Sequence, residues 1–132
     1  MIAAERNIVA ALRNIAAVAR AGQLLVVPPV VIVEARQRCA NIGAVDVVLA
    51  RLRREALLPE DGVRASDLLR AAGQQAGGGR AASARIHAIG TADALIAAMA
   101  ERLSGIVYSA DARHLSWLKH AGARIVVPPV PF

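Results

Sequence analysis

The sequence predicts an α/β fold with a parallel sheet. Short apolar runs of strand type alternate along the chain with longer runs in which apolar residues recur at the helical period. Strands joined by helices in this way are parallel, with right-handed crossovers and helices on both faces of the sheet. At 132 residues, 56% of them hydrophobic, the chain is long enough for one compact domain over residues 1–132.

The first half of the chain alternates in this way from its start. The predicted elements are a helix over residues 2–20, a strand over 24–27, a second helix carrying Glu34, a third helix capped by Asp46 and a short strand over 56–58. Gly22 ends the first helix. Pro28 and Pro29 end the first strand and preset the first turn of the next helix, because proline fits at a helix start.

The second half continues the pattern after a glycine-rich interruption. The predicted elements are a helix over residues 61–72, a mobile loop over 74–79, a helix over 91–103, a strand over 106–109, a helix over 112–121 and a strand over 124–127. The loop is predicted from three consecutive glycines, which lose the most backbone entropy on ordering. Thr91 is the expected cap of the helix that follows it.

Three acidic residues, Glu34, Asp93 and Asp111, lie where a predicted strand gives way to a helix. Ligands of parallel sheets bind beyond the carboxyl ends of the strands, so we expect these carboxylates to converge. Mg²⁺ and Mn²⁺ prefer oxygen ligands, and a cation relieves the repulsion between crowded carboxylates. Two such ions can clamp a phosphodiester for in-line displacement. The pattern therefore predicts a divalent-metal site.

Each of these acids also has an ordinary structural role open to it. Glu34 follows an apolar run, where an unpaired buried carboxylate is costly, so it either binds a ligand, reaches solvent or pairs with a nearby arginine such as Arg36. Asp93 lies in the first turn of a helix, where the macrodipole favours a negative charge. Asp111 can cap the next helix. Ser109 can hold a metal-bound water or orient Asp111, or it can be a cap.

The charge of the chain favours an anionic partner. The net charge is +6, and every basic residue except Lys119 is an arginine, whose planar fork suits phosphate. The alternative is that arginine is simply the surface charge of an alanine- and arginine-rich proteome. Aromatic residues make up only 2% of the chain, so few side chains are available for bases to stack on. Any binding of nucleic acid is therefore expected to be mainly electrostatic.

The sequence also predicts a cytoplasmic protein that does not enter a membrane. Its longest apolar runs are interrupted by Pro-Pro and fall short of the roughly 20 residues of a membrane span. Residues 1–7 do not have the pattern of a secretory leader, and the single Cys39 has no partner for an internal disulfide.

Three motifs carry a resemblance to a known family. They are Pro-Pro-Val-Val-Ile-Val-Glu34-Ala-Arg, the helix start Asp93-Ala-Leu-Ile-Ala-Ala and Ser109-Ala-Asp111. Over most of its length the chain resembles the PIN-domain nucleases, and among them the VapC-type toxin ribonucleases of bacterial toxin–antitoxin pairs. The resemblance implies a PIN-like three-layer sandwich, RNA cleavage that depends on Mg²⁺ or Mn²⁺, a small antitoxin and a homodimer. It also implies Glu34, Asp93 and Asp111 as metal ligands, with Ser109 beside them.

The chain departs from this family at its start. The family begins with a strand that carries a further metal-binding Asp and lies at the centre of a 3-2-1-4-5 sheet, whereas this sequence begins in the following helix. Without that strand, residues 24–27 and 106–109 would have open apolar edges. We therefore expect the natural protein to start upstream of Met1. A stop codon, or no apolar strand with an Asp, within about 10–15 codons upstream would contradict this.

Two possibilities stay open at this point. The first concerns activity: without that strand and its Asp, the 132-residue chain can be an inactive form of the nuclease. The alternative to a nuclease is a degenerate, non-catalytic PIN-like module that binds only an antitoxin or RNA.

Overall fold

The computed structural model describes residues 8–109 and 112–128, with side chains from Leu12 onward. The described elements are α1 (Ile8–Arg20), β1 (Val26–Val27), α2 (Pro29–Arg38), α3 (Ile42–Leu49), β2 (Arg53–Arg54), α4 (Pro59–Gln75), α5 (Gly79–Arg102) and α6 (Arg113–His120). The chain divides into two compact units, one ending at Ala56 and the other beginning at Leu57.

The first unit combines α1, α2 and α3 with a two-stranded parallel sheet. In that sheet Val26 of β1 pairs with Arg53 of β2, and Val27 pairs with Arg54. A small core forms around three buried residues, Val27, Val45 and Leu49, with Val31, Ile32, Ala35, Cys39 and Leu52 packed against them. The sheet is parallel because α2 and α3 carry the chain back to the same end before β2 begins.

The start of α3 differs from the prediction. Asp46 was the expected cap, but the helix begins one turn earlier, and the side chain of Asn41 accepts the backbone N–H of Ala44 at 3.1 Å. Asp46 lies inside the helix and pairs with Arg36 of α2. The prediction was wrong because asparagine caps a helix as well as aspartate does, and the apolar pattern alone did not show which residue came first.

The second unit is built on an α4–α5 helix pair, with α6 packed against both helices. Its core contains Leu68, Ala72, Ile89, Ala97, Val107, Leu115, Leu118, Ala123 and Ile125. Gly73 allows α4 and α5 to approach closely, since a Cβ there would lie 3.1 Å from side-chain carbons of both Ala82 and Ile86. Beside the helices, Ile106 and Val126 form a parallel bridge, in which Val107 N–H donates to Val126 O at 2.9 Å.

The described residues are thus mostly helical, with short parallel pairings in place of a long sheet. The parallel direction agrees with the predicted α/β class in this coarse sense. The strand predicted over 56–58 is wrong, because the pairing occurs earlier, at Arg53–Arg54. The strands predicted over 24–27, 106–109 and 124–127 are each reduced to one or two paired residues. In the described ranges, no helix combines the length and the apolar character needed to cross a membrane.

Helix α5 is two helices joined at Gly90. This glycine has φ 78° and ψ 165°, a conformation open essentially to glycine alone, which breaks the helix between Ile89 and Thr91. The part after the break matches the helix predicted from residue 91 onward. The part before it was not predicted, since the glycine-rich interruption is only a short turn before Gly79. Asp93 therefore lies in the first turn of a new helical segment.

We expect Gly90→Ala to lower the free energy of unfolding by about 1–3 kcal/mol, because a Cβ strains this backbone conformation although there is space for it. Gly62→Ala is the matched control. Gly62 is exposed inside α4, without a positive φ, and a Cβ there meets nothing within 4 Å, so this change should stabilise by about 0.4–1 kcal/mol. Urea denaturation of both variants measures the difference. Equal effects would contradict the assigned break.

Candidate functional site

The structure places the predicted acids in different parts of the chain. Glu34 is exposed on α2 in the first unit, and Asp93 lies on α5 in the second unit. Asp111 lies outside the described residues, and Ser109, half-buried, lies shortly after the bridge at Ile106. Convergence of the three carboxylates therefore stays a prediction.

One argument for Glu34 was wrong. Its apolar neighbours in the sequence predicted a buried carboxylate that needs a partner, but α2 has no buried residue, and Glu34 reaches solvent. The helix packs only loosely over its small core, so an apolar run in this position does not imply burial. Arg36, the expected alternative partner, pairs with Asp46 instead.

Asp93 is the best-defined of the predicted site residues. Its side chain is 34% exposed, and the Nδ1–H of His114 donates to its Oδ2 at 2.9 Å. Asp93 occupies the first turn after the break at Gly90, where the free backbone N–H groups favour a negative charge. His114 belongs to α6 and follows Asp111 by three positions in the sequence. The contact therefore joins the helix start at Asp93 to α6.

His114 is also part of a stacked group around the only tryptophan, which we call the Trp117 cluster and define as Arg85, Arg113, His114 and Trp117. The rings of His114 and Trp117 are stacked, with centroids 5.5 Å apart and 29° between their planes. The Cζ of Arg85 lies 4.2 Å from the Trp117 ring centroid, and that of Arg113 lies 5.6 Å away. Two guanidinium groups are thus cation–π partners of the indole that stacks on His114.

A buried ion pair fixes the far end of the helix that carries Asp93. Asp61 of α4 is 1% exposed, and its carboxylate accepts two hydrogen bonds from Arg102 of α5, at 2.8 and 3.0 Å. It also accepts the backbone N–H of Leu58 at 2.8 Å, which satisfies the start of α4. The hydrogen bond from Arg102, assisted by that from Leu58, holds the pKa of Asp61 below its usual value despite its burial.

A second carboxylate, Glu101, joins three segments of the same unit. It receives bidentate hydrogen bonds from Arg64 at 2.8 and 3.1 Å, and the backbone N–H of Arg124 at 2.8 Å. Arg64 also donates to the carbonyl of Gly122 at 3.2 Å. The hydrogen bond from Arg64 is the main cause that lowers the pKa of Glu101. Together with Asp61, this residue anchors α5 against α4 and against the segment that leads to Val126.

The contacts of Asp61, Glu101 and His114 were not predicted from the sequence. Nothing in the sequence indicated that Glu101 would join three segments or that His114 would contact Asp93. The position of Asp61, three residues after Leu58 and two after Pro59, is a recognisable capping signal, and the hydrogen bond from the Leu58 N–H confirms it as a cap. Nothing local in the sequence indicated that the same carboxylate would be buried against Arg102.

The described residues only partly suit the predicted metal. The oxygens of Asp93 are of the type that Mg²⁺ prefers. Within residues 8–109 and 112–128, however, no three His, Cys, Asp or Glu side chains lie close enough together to hold a metal ion. The predicted ligand set would have to be completed by Asp111, which lies outside these ranges, and by Glu34.

Comparisons of the chain with protein-family models, with curated proteins and with solved structures give no match. The interpretation of the site therefore depends on the contacts within the chain. In the described ranges they define a mostly helical structure with short parallel pairings, in which the partly exposed Asp93 contacts a histidine of the Trp117 cluster.

We expect Arg102→Met to lower the free energy of unfolding by about 3 kcal/mol, because it leaves the Asp61 carboxylate buried with one hydrogen-bond donor. Arg70→Met, an exposed position on the neighbouring α4, is the control and should change stability by less than about 0.5 kcal/mol. Denaturation at neutral pH compares the two variants. A similar effect of both would show that the ion pair contributes little.

The same carboxyls predict how stability depends on pH. The folded pKa values of Asp61 and Glu101 are lowered, so the unfolded chain takes up protons first as the pH falls. Their contribution is complete above the ordinary carboxyl pKa of about 4 and is lost as the pH falls through the lower folded values. Asp61→Asn should flatten this decline, as measured by denaturation at a series of pH values. An unchanged profile would contradict the assignment.

Proposed function

We propose that this protein is an endoribonuclease dependent on Mg²⁺ or Mn²⁺, the toxin component of a toxin–antitoxin pair. The proposed metal ligands are Glu34, Asp93 and Asp111, with Ser109 beside them. The observation that carries the proposal is the contact between Asp93 and His114, since it joins the first turn of one helix to a helix that starts just after Asp111 in the sequence.

The pairing of the strands supports the fold that this function requires. In the PIN-like order 3-2-1-4-5, the second strand pairs with the third and the fourth pairs with the fifth. The structure contains both kinds of pair, Val26 with Arg53 in the first unit and Ile106 with Val126 in the second, and both are parallel. We therefore propose a PIN-like three-layer sandwich as the architecture of the whole protein.

The chemistry of the described residues suits a phosphodiester substrate. A bound divalent ion would supply charge neutralisation and an activated water. Asp93 presents a partly exposed carboxylate at a helix start, and His114 fixes the orientation of that carboxylate. Arg85 and Arg113 place positive charge around Trp117, whose ring stacks on the His114 that contacts Asp93, and positive charge there favours the approach of an anionic strand. A cytoplasmic location, a small antitoxin and a homodimer belong to the same proposal.

A second candidate is a non-catalytic module that binds RNA or an antitoxin. It is favoured by the fact that the Asp93 carboxylate already has a side-chain partner in His114. A carboxylate held in this way can be a structural element of the α5–α6 contact and need not be a metal ligand.

Cleavage of RNA tests the leading proposal. With Mg²⁺ present, Asp93→Asn should reduce the cleavage rate by about 100-fold or more, because the amide is a poorer ligand and carries no charge. Asp67→Asn, the same substitution at an exposed position of α4, should leave the rate unchanged. Both variants are made in the 132-residue chain. Equal rates for both variants would refute the assigned site.

Metal binding separates the two candidates. Titration calorimetry of the 132-residue chain should detect binding of Mg²⁺ or Mn²⁺, and Asp93→Asn should weaken it while Asp67→Asn should not. If the protein binds neither ion, the non-catalytic alternative is correct.

A further inference from the structure

We propose that Arg85, held against the indole ring of Trp117, binds a backbone phosphate of the RNA strand next to Asp93. This inference rests on the proposed function for the identity of the substrate. To the proposed function it adds Arg85 as the residue that positions the RNA strand, and the contact with the Trp117 ring as what holds Arg85 in place.

A continuous series of contacts connects Arg85 to Asp93. The Asp93 carboxylate is 2.9 Å from Nδ1 of His114, His114 is stacked on Trp117, and the Arg85 guanidinium lies over the Trp117 ring at 4.2 Å. All four residues belong to the second unit, on α5 and α6. A strand whose phosphate is bound by Arg85 would therefore pass beside the Asp93 carboxylate.

The stacking of Arg85 leaves its hydrogen-bond donors available. A guanidinium on an aromatic ring uses its flat face, so its N–H groups at the edge can still bind an oxyanion in bidentate fashion. The ring also restricts the side chain before the ligand arrives, which lowers the entropic cost of binding. Trp117 itself is fixed because it packs against the core of the second unit.

Arg85 also differs from the arginines of the described chain that are held in close ion pairs. Arg36, Arg64 and Arg102 each pair with a carboxylate, and those charges are neutralised within the protein. Within the described ranges Arg85 forms no ion pair with an Asp or Glu side chain, and its contact is with a neutral ring. Its charge is therefore available to an external anion.

The ligand is expected to be the phosphate and not a base. The Trp117 ring, the best stacking surface for a base, is already stacked with His114 and Arg85. Besides Trp117, the chain contains only one tyrosine and one phenylalanine as aromatic residues. Recognition through a phosphate carries no sequence information, so Arg85 should contribute equally to the binding of different sequences.

Binding of single-stranded RNA without divalent metal tests this proposal independently of cleavage. The probe is a fluorescein-labelled oligonucleotide of mixed sequence, in buffer with EDTA, followed by fluorescence anisotropy. Arg85→Ala should weaken binding about tenfold, the effect of losing one charge-assisted contact. The slope of log affinity against log salt should fall by about 0.7. Arg85→Lys, which keeps the charge and loses the fork, should lie between this variant and the unmodified chain.

Arg80→Ala is the matched control. Arg80 is an exposed arginine on the same helix, outside the Trp117 cluster, and its loss changes the net charge by the same amount. It should change the affinity by less than about twofold. Emission from the single Trp117 and urea denaturation show whether each variant retains its fold.

Each outcome decides the proposal. It is supported if Arg85→Ala weakens binding clearly more than Arg80→Ala, and it is overturned if the two variants bind alike or if the unmodified chain binds no RNA. RNA binding through Arg85 without any cleavage would leave this proposal standing and refute the nuclease. If cleavage depends on Asp93 but the two arginine variants bind RNA equally, the nuclease proposal stands and the role of Arg85 is refuted.

Discussion

The second unit depends on a buried carboxylate at the start of α4. Asp61 has almost no contact with solvent, so its charge must be balanced inside the protein, and Arg102 at the end of α5 provides both the charge and two hydrogen bonds. This pairing sets how the two long helices lie against each other. Glu101 and Arg64 reinforce it on the adjacent turn and extend it to the segment before Val126.

That arrangement determines where the candidate site can form. The end of α5 is fixed by its ion pairs, and the break at Gly90 starts a new helical segment with Asp93 in its first turn. Because α6 packs on the same helices, His114 meets Asp93, and Trp117 meets Arg85. The carboxylate and the cations thus belong to one unit, although they come from separate helices.

Much of the local structure could be predicted from the sequence. Pro29 at the start of α2, Gly22 after α1 and the apolar repeat of the helix after Thr91 were interpreted correctly, because turns and helical faces depend on neighbouring residues. The strand lengths were overestimated, since a run of apolar residues is equally suited to an extended segment with one or two pairings. The cap of α3 was misplaced by a few residues for a similar reason.

The sequence by itself determined most of the helical segments, the ends at Gly22 and Pro28, and an excess of arginine over acid. Only the tertiary structure decided which of these charges are neutralised. Asp61 and Arg102 are 41 residues apart, and Asp93 and His114 are 21 residues apart. Contacts over such distances depend on how helices pack, and no local pattern specifies that packing. For this reason the sequence left open whether Glu34 reaches solvent, as it does, and gave no sign of the contact between His114 and Asp93.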